Sequence, residues 1–309
     1  LSPALHLVMP GSSGLFQRAA LQRGGVAHTG SPVRSAEVAV RFVAAVGGVD
    51  RLATCSAEEI VAAQVAIAPE VSGPLPFMPT AEGRHVPLRP LDELAAGSAA
   101  GVPVIIGTTR DEMRLFTAFD PAVASATPPQ VERRLRRMID RHDASLDPAG
   151  VIGVYRRRLG EDATLADVVS AAMTDTEFRV PACELADRQS AHADVFTYLF
   201  RWASNAWDGR LGSCHALEVP FVFDNLGQPG VAFLVGEGPP ASLAVAMADA
   251  WVRFARGEPP DVDGRDGPHT WPRHDPITRP TMVFDRRSRV ERDPLGRERE
   301  IWMQTAAHA

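Results

Sequence analysis

Two short apolar runs stand out in a chain of otherwise mixed polarity. Val102-Pro103-Val104-Ile105-Ile106 is rich in β-branched residues and stops at Gly107, the pattern of a strand buried on both faces. Val195 to Phe200 predicts a second such strand. Shorter strands are expected near Ala19–Gln22 and at Thr281–Phe284. The first stretch, Leu1 to Gly25, reads as a helix end, a loop at Pro10–Gly14 and then the first of these strands. Helical spacing of apolar positions covers Ser35–Ile67, broken at Gly47-Gly48. Pro69–Pro90 reads as a loop holding Leu75 and Phe77, followed by a short helix at Leu91–Ala96. Pro129–Leu159 is helical with a break around Pro148–Gly150, and Leu165–Gln189 is a long amphipathic stretch interrupted by Pro181. Leu243–Arg256 predicts a helix closed by Gly257, and Arg297–Gln304 a last one. Strands alternating with helices predict an α/β fold around a parallel sheet. No internal repeat interrupts this order.

Composition narrows the chemistry. The chain has 309 residues and a net charge of −6, a balance that argues against a nucleic-acid binder. All 32 basic residues are Arg. The absence of Lys excludes Schiff-base chemistry, a Walker-A lysine and a kinase strand lysine. Cys55, Cys183 and Cys214 fit no CxxC spacing and read as reduced thiols. No apolar run reaches the roughly 18–20 residues of a membrane span. No secretory signal is visible, although the sequence begins at Leu1 rather than Met. Location stays open, with a slight lean toward the cytoplasm.

Several patterns read as ordinary surface. Gly236 to Ala241 imitates a dinucleotide fingerprint but lacks the strand–helix context and carries two prolines. Asp261 to Gly267 imitates a calcium loop without the distal Glu. Arg133, Arg134, Arg136, Arg137 and Arg141 read as a solvated helix face rather than an anion site. His269 and His274 flank Trp271 without metal partners at ligand spacing.

Two segments carry candidate chemistry. Gly107-Thr108-Thr109-Arg110-Asp111-Glu112 follows the first strand, and Gly212-Ser213-Cys214-His215-Ala216-Leu217-Glu218 follows the second. Ligands of parallel α/β sheets bind at the carboxyl ends of strands, so the two loops can meet there. A carboxylate that accepts a bond from one imidazole nitrogen leaves the other to act as a general base. On spacing alone, catalysis and loop capping are both open.

The motifs carry a resemblance that reaches further. Gly14-Leu15-Phe16-Gln17-Arg18-Ala19, the two segments above extended to Phe223, Trp251-Val252-Arg253-Phe254-Ala255, Trp271-Pro272 and Thr281-Met282-Val283-Phe284 occur in order. From Pro10 to Trp302 the chain resembles the C-terminal part of type B carboxylesterases, the family of para-nitrobenzyl esterases, carboxylesterases and cholinesterases. The resemblance implies the C-terminal portion of one α/β-hydrolase domain over residues 1–309, with the later strands of the parallel sheet and helical cap insertions. It implies a serine ester hydrolase with a Ser-Glu-His triad, an acyl-enzyme mechanism, a small-molecule ester substrate and no metal or organic cofactor. Glu112 matches the triad acid, His215 the general base, and Glu218 a buried carboxylate that supports the base in some members. Leu75 and Phe77 match the stretch that shapes the acyl pocket. The Ser–acid–His chain order also agrees with that fold.

The sequence departs from the family in three ways. No Gly-x-Ser-x-Gly occurs in it, and the register puts that serine about four residues before Leu1, with the oxyanion loop earlier still. A missing N-terminal segment or a separate chain would supply both, and a non-catalytic carboxylesterase-like binding module or a decayed gene product is the alternative. Gln22-Arg23-Gly24 stands where the family usually has Gln-Ser-Gly, so Arg23 is expected to pair with Glu218. Without the earlier strands, Ala19–Gln22 is expected to be a long, apolar, unpaired edge that makes the chain alone poorly soluble or prone to associate.

Overall fold

A computed structural model describes residues 2–22, 24–26, 29–71, 77–142, 146–264 and 267–303. The buried β-branched run becomes β2 (Val104–Thr109), flanked by β1 (Ala19–Gln22) and β3 (Val195–Phe200). A separate ribbon pairs β4 (Val262–Gly264) with β5 (Gly267–His269). The main sheet is completed by β6 (Pro280–Phe284) and β7 (Arg289–Arg292), in the order β1-β2-β3-β6-β7. The first four strands run parallel, and β7 turns back antiparallel to β6.

Every residue of β2 is buried. It runs two residues beyond Gly107, where the sequence pattern had placed its end. Gly107 sits inside the strand because a Cβ there would collide with the Tyr198 carbonyl oxygen and ring on β3. Successive β2 residues serve opposite faces. Val104 and Ile106 pack with Leu5, Leu21 and Leu185, the last from the helix Val180–Gln189. Ile105 packs on the other face with Tyr198, Phe200, Trp271 and Met247, the last from the helix Ala241–Arg256. That helix ends as its sequence predicts, with Gly257 left-handed at φ +91°.

A helical lobe sits beside the sheet. Pro128–His142, Pro148–Leu159, Leu165–Thr174 and Gly296–Trp302 bury Leu135, Val151, Tyr155, Val168 and Trp302 together. The break before Pro148 is a capped helix start, with Asp147 Oδ1 accepting the Gly150 N–H at 2.8 Å. The long stretch Leu165–Gln189 is interrupted earlier than the sequence suggested. A π-turn at Asp175–Arg179 follows Leu165–Thr174. Pro181 falls just after that turn, and the backbone stays helical from Thr174 through Val180, so the register shift of the π-turn rather than a chain break precedes the proline.

Among the described residues β1 is an edge strand, as expected, but neither long nor uniformly apolar. It has four residues, of which Leu21 alone is buried. β7 escaped the sequence reading because Arg289-Val290-Glu291-Arg292 offers one apolar position in four. The calcium-like segment spans the β4–β5 ribbon, with Arg265 and Asp266 outside the described residues. His274 Nε2 meets Asp187 Oδ1 at 2.9 Å, and Arg279 binds the same carboxylate through both terminal nitrogens. No described helix is long and apolar enough to cross a membrane.

Two predictions follow from this packing. Gly107→Ala forces a methyl against the backbone of the central strand. It should cost about 3 kcal/mol or abolish folding, read as the urea midpoint; an unchanged midpoint contradicts the close β2–β3 approach. Burial pushes the Cys183 thiol up to about 11 and the Cys214 thiol up to about 12. The thiolate is the reactive form, so at pH 8 a disulfide reagent should titrate Cys55 promptly and the other two only on unfolding. Prompt reaction of all three in the native chain contradicts this.

Candidate active site

The carboxyl ends of β2 and β3 are joined by a lattice of short polar contacts. The Arg110 N–H and the Ser213 hydroxyl both donate to the Phe200 carbonyl at the end of β3, at 2.9 and 2.8 Å. The Asp111 N–H donates to the Ser213 carbonyl at 2.8 Å, and the Ser213 N–H returns a bond to Asp111 Oδ2 at 2.9 Å. Arg110 Nε and Nη2 reach the same oxygen at 3.0 and 2.8 Å and balance its charge. Gly212 is left-handed at φ +58°, and a Cβ on it would lie 2.7 Å from Asp111 Oδ2. The glycine is what lets the two loops close on each other.

This closure brings Glu112 and His215 together. Glu112 folds back over the strand end, its Oε1 accepting the Thr109 N–H at 2.8 Å. Its Oε2 lies 2.6 Å from His215 Nδ1, and the His215 N–H reaches the Glu112 carbonyl at 3.3 Å. Glu112 is 0% exposed, whereas the His215 side chain is 18% exposed. An ionised carboxylate only accepts, so the bond assigns the proton to Nδ1 and leaves Nε2 as the basic nitrogen. The next residue, Ala216, is left-handed at φ +67°, a conformation that costs a non-glycine residue energy and collects at working sites.

Glu218, the third expected residue, is fully buried at the start of the short helix Val219–Val222. Arg23 lies outside the described residues, and with it the expected pairing to Glu218. Cys214 is no rival nucleophile. Burial raises its thiol to about 12, and the negative charges of Glu112, Glu218 and Asp111 add to the shift. The Ser213 hydroxyl is engaged by Phe200. Phe77 is half-exposed and packs edge-to-face on Phe42 at 5.3 Å, and Leu75 is outside the described residues. Among the described residues, no three His, Cys, Asp or Glu are grouped to hold a metal ion.

Sequence reasoning missed the aromatic surroundings. The Phe116 and Phe178 rings each lie 5.2 Å from the His215 imidazole. Phe116 was within reach of a helical argument, since it follows Glu112 by four residues across a turn and the helix Arg114–Thr117. Nothing local marks Phe178. Farther out, Phe119 packs on Trp207 at 5.4 Å, and the Arg210 guanidinium lies 4.8 Å over the Phe119 ring. Phe116, Phe119 and Trp207 are all about half exposed, and of these three Phe116 is the one whose ring faces the imidazole. The site thus combines a buried acceptor, an oriented imidazole and an apolar surface beside it.

Known proteins share this arrangement of chain and fold. The carboxylesterase family model matches residues 2–302. Para-nitrobenzyl esterase of Bacillus subtilis is 31% identical over 308 residues, covering 97% of this chain and 59% of that protein. Phenmedipham hydrolase of Pseudarthrobacter oxydans is 30% identical over 235 residues, covering 75% and 45%. A carboxylesterase structure from Geobacillus stearothermophilus superposes with a TM-score of 0.82 at 34% identity, over 98% of this chain and 61% of that one. The chain therefore spans about half to three fifths of the length of these relatives, and its sheet and helical lobe are those of the α/β-hydrolase fold. Matched from its second residue to the last turn of its final helix, the chain belongs to the carboxylesterase family.

Proposed function

We infer that the protein is a carboxylic ester hydrolase of the serine type and that this chain carries its acid and its base. The observation that supports this most directly is the 2.6 Å contact between His215 Nδ1 and the buried Glu112 carboxylate. In this reading Nε2 removes the proton from a serine hydroxyl as the oxygen attacks the ester carbonyl. His215 then passes that proton to the departing alcohol oxygen. Glu112 holds the ring in the productive tautomer and stabilises the imidazolium that forms. Water, deprotonated by the same nitrogen, hydrolyses the acyl-enzyme. In this reading Glu218, buried at the start of Val219–Val222, is a carboxylate that supports the base.

The serine and the oxyanion donors come, in this reading, from polypeptide outside these 309 residues. Two facts support that. The sequence holds no Gly-x-Ser-x-Gly, and the chain spans 59% of the Bacillus subtilis esterase and 45% of the phenmedipham hydrolase. The Bacillus subtilis relative is named for para-nitrobenzyl esters, and in this reading an aryl-bearing ester is the substrate of this protein too. The half-exposed Phe116, whose ring lies 5.2 Å from the His215 imidazole, offers such a group a surface to lie on. A non-catalytic binding module has no physical need for a buried carboxylate that orients a half-open imidazole.

The test is ester hydrolysis by the chain supplied with its serine-bearing polypeptide, fused or co-expressed. His215→Ala should lower kcat by about 10³-fold or more, and Glu112→Gln by a comparable factor, because the amide removes the charge and unsettles the tautomer. Turnover of His215→Ala close to that of the parent refutes the assignment.

A further inference from the structure

One segment of the helical lobe touches His215 and the residue next to Glu112. Thr174 Oγ1 accepts the N–H of Met113, the residue after Glu112, at 3.0 Å. Four residues on, Phe178 lays its ring 5.2 Å from the His215 imidazole. Phe178 belongs to the π-turn Asp175–Arg179, which begins directly after Thr174. Such turns are rare, and they occur often at functional sites.

What holds this turn is a buried polar cluster. Asp175 Oδ1 accepts from Arg179 Nε at 2.8 Å, and Asp175 Oδ2 lies 2.8 Å from Arg179 Nη2, so the first and last residues of the turn clamp each other. Asp175 Oδ2 also accepts the Tyr155 hydroxyl at 2.5 Å. Tyr155 oxygen accepts Trp302 Nε1 at 2.8 Å, and Arg179 Nη1 donates to the Leu295 carbonyl at 2.9 Å. The turn is thereby fixed to the helices Pro148–Leu159 and Gly296–Trp302. Asp175 and Arg179 are 2% and 6% exposed, and Tyr155 is fully buried. An ion pair buried this deeply is a poor route to stability compared with apolar packing, and fixed geometry is the return it can offer.

We propose that Tyr155, Asp175 and Arg179 are positioning residues for His215, locking the π-turn that holds Phe178 against the imidazole and Thr174 against the Glu112 loop. None of the three touches the imidazole in the contacts described; they act through Phe178 and Thr174. The proposal rests on the reading of His215 as the general base, but its geometry can be tested without catalysis.

The test uses the full chain and the imidazole resonances of His215, assigned among the nine histidines by a His215→Gln variant. Tyr155→Phe deletes one hydroxyl and leaves the ring. It should shift the His215 Cε1–H signal, because the Phe178 ring current changes, and disturb the Nδ1–H signal. Val151→Ala, a buried truncation in the same helix and the same lobe core, is the control for general loosening. It should lower the melting temperature and leave the His215 signals in place. If Tyr155→Phe does not fold, Trp302→Phe removes the N–H bond to the Tyr155 oxygen together with part of a buried ring, and should give the same shift. Unmoved His215 signals in the folded cluster variant overturn the proposal, as do equal shifts in Val151→Ala. In the serine-complemented enzyme, Tyr155→Phe should lower kcat about tenfold with KM little changed, as expected for a misplaced group. Full activity in His215→Ala would refute the hydrolase reading while leaving the resonance result intact.

Discussion

Everything at this site depends on a carboxylate kept out of water and an imidazole that reaches it. A buried ionised group is costly unless its lone pairs are filled. Glu112 meets that condition with two donors, the Thr109 N–H on one oxygen and His215 Nδ1 on the other. Both donors are delivered by the sheet. Thr109 is the last residue of β2, and His215 comes from the loop that Ser213 and Arg110 tie to the end of β3. The close β2–β3 pairing at Gly107 and the loop closure at Gly212 are conditions for that one 2.6 Å contact.

The parts of the site that were legible in the sequence are those written locally. Glu112 and His215 sit in compact motifs just beyond strands with strong β-branched or aromatic signatures, and the motifs fix their neighbours within a few residues. The strand core was legible for the same reason: a run such as Val104-Ile105-Ile106 has one comfortable fate, burial on both faces. Even there the end of β2 was misjudged. Glycine usually closes a strand, and only the proximity of Tyr198 reveals that Gly107 is inside one. β7 was invisible because its pairing with β6 is not announced by its own alternation.

What sequence could not supply is the lobe's relation to the pair. Phe178 is 37 residues before His215 in the chain, and its place at the imidazole exists only after the lobe docks on the sheet. Tyr155, Asp175, Arg179 and Trp302 look like unremarkable members of amphipathic helices. They become one unit because a π-turn shifts the helical register, and no apolar periodicity encodes that shift. The Arg-rich helix shows the converse. Its conspicuous charges are mostly solvated, with Arg136 and Arg141 in exposed pairs to Glu132 and Glu177, while the less conspicuous Arg179 is buried and ordered.

The double engagement of Glu112 gives the molecule an internal reporter. The Thr109 amide is bonded to the same carboxylate that faces His215. Isotope exchange at this single amide therefore registers how often the acid-bearing loop lifts from the strand end, read through the backbone of β2.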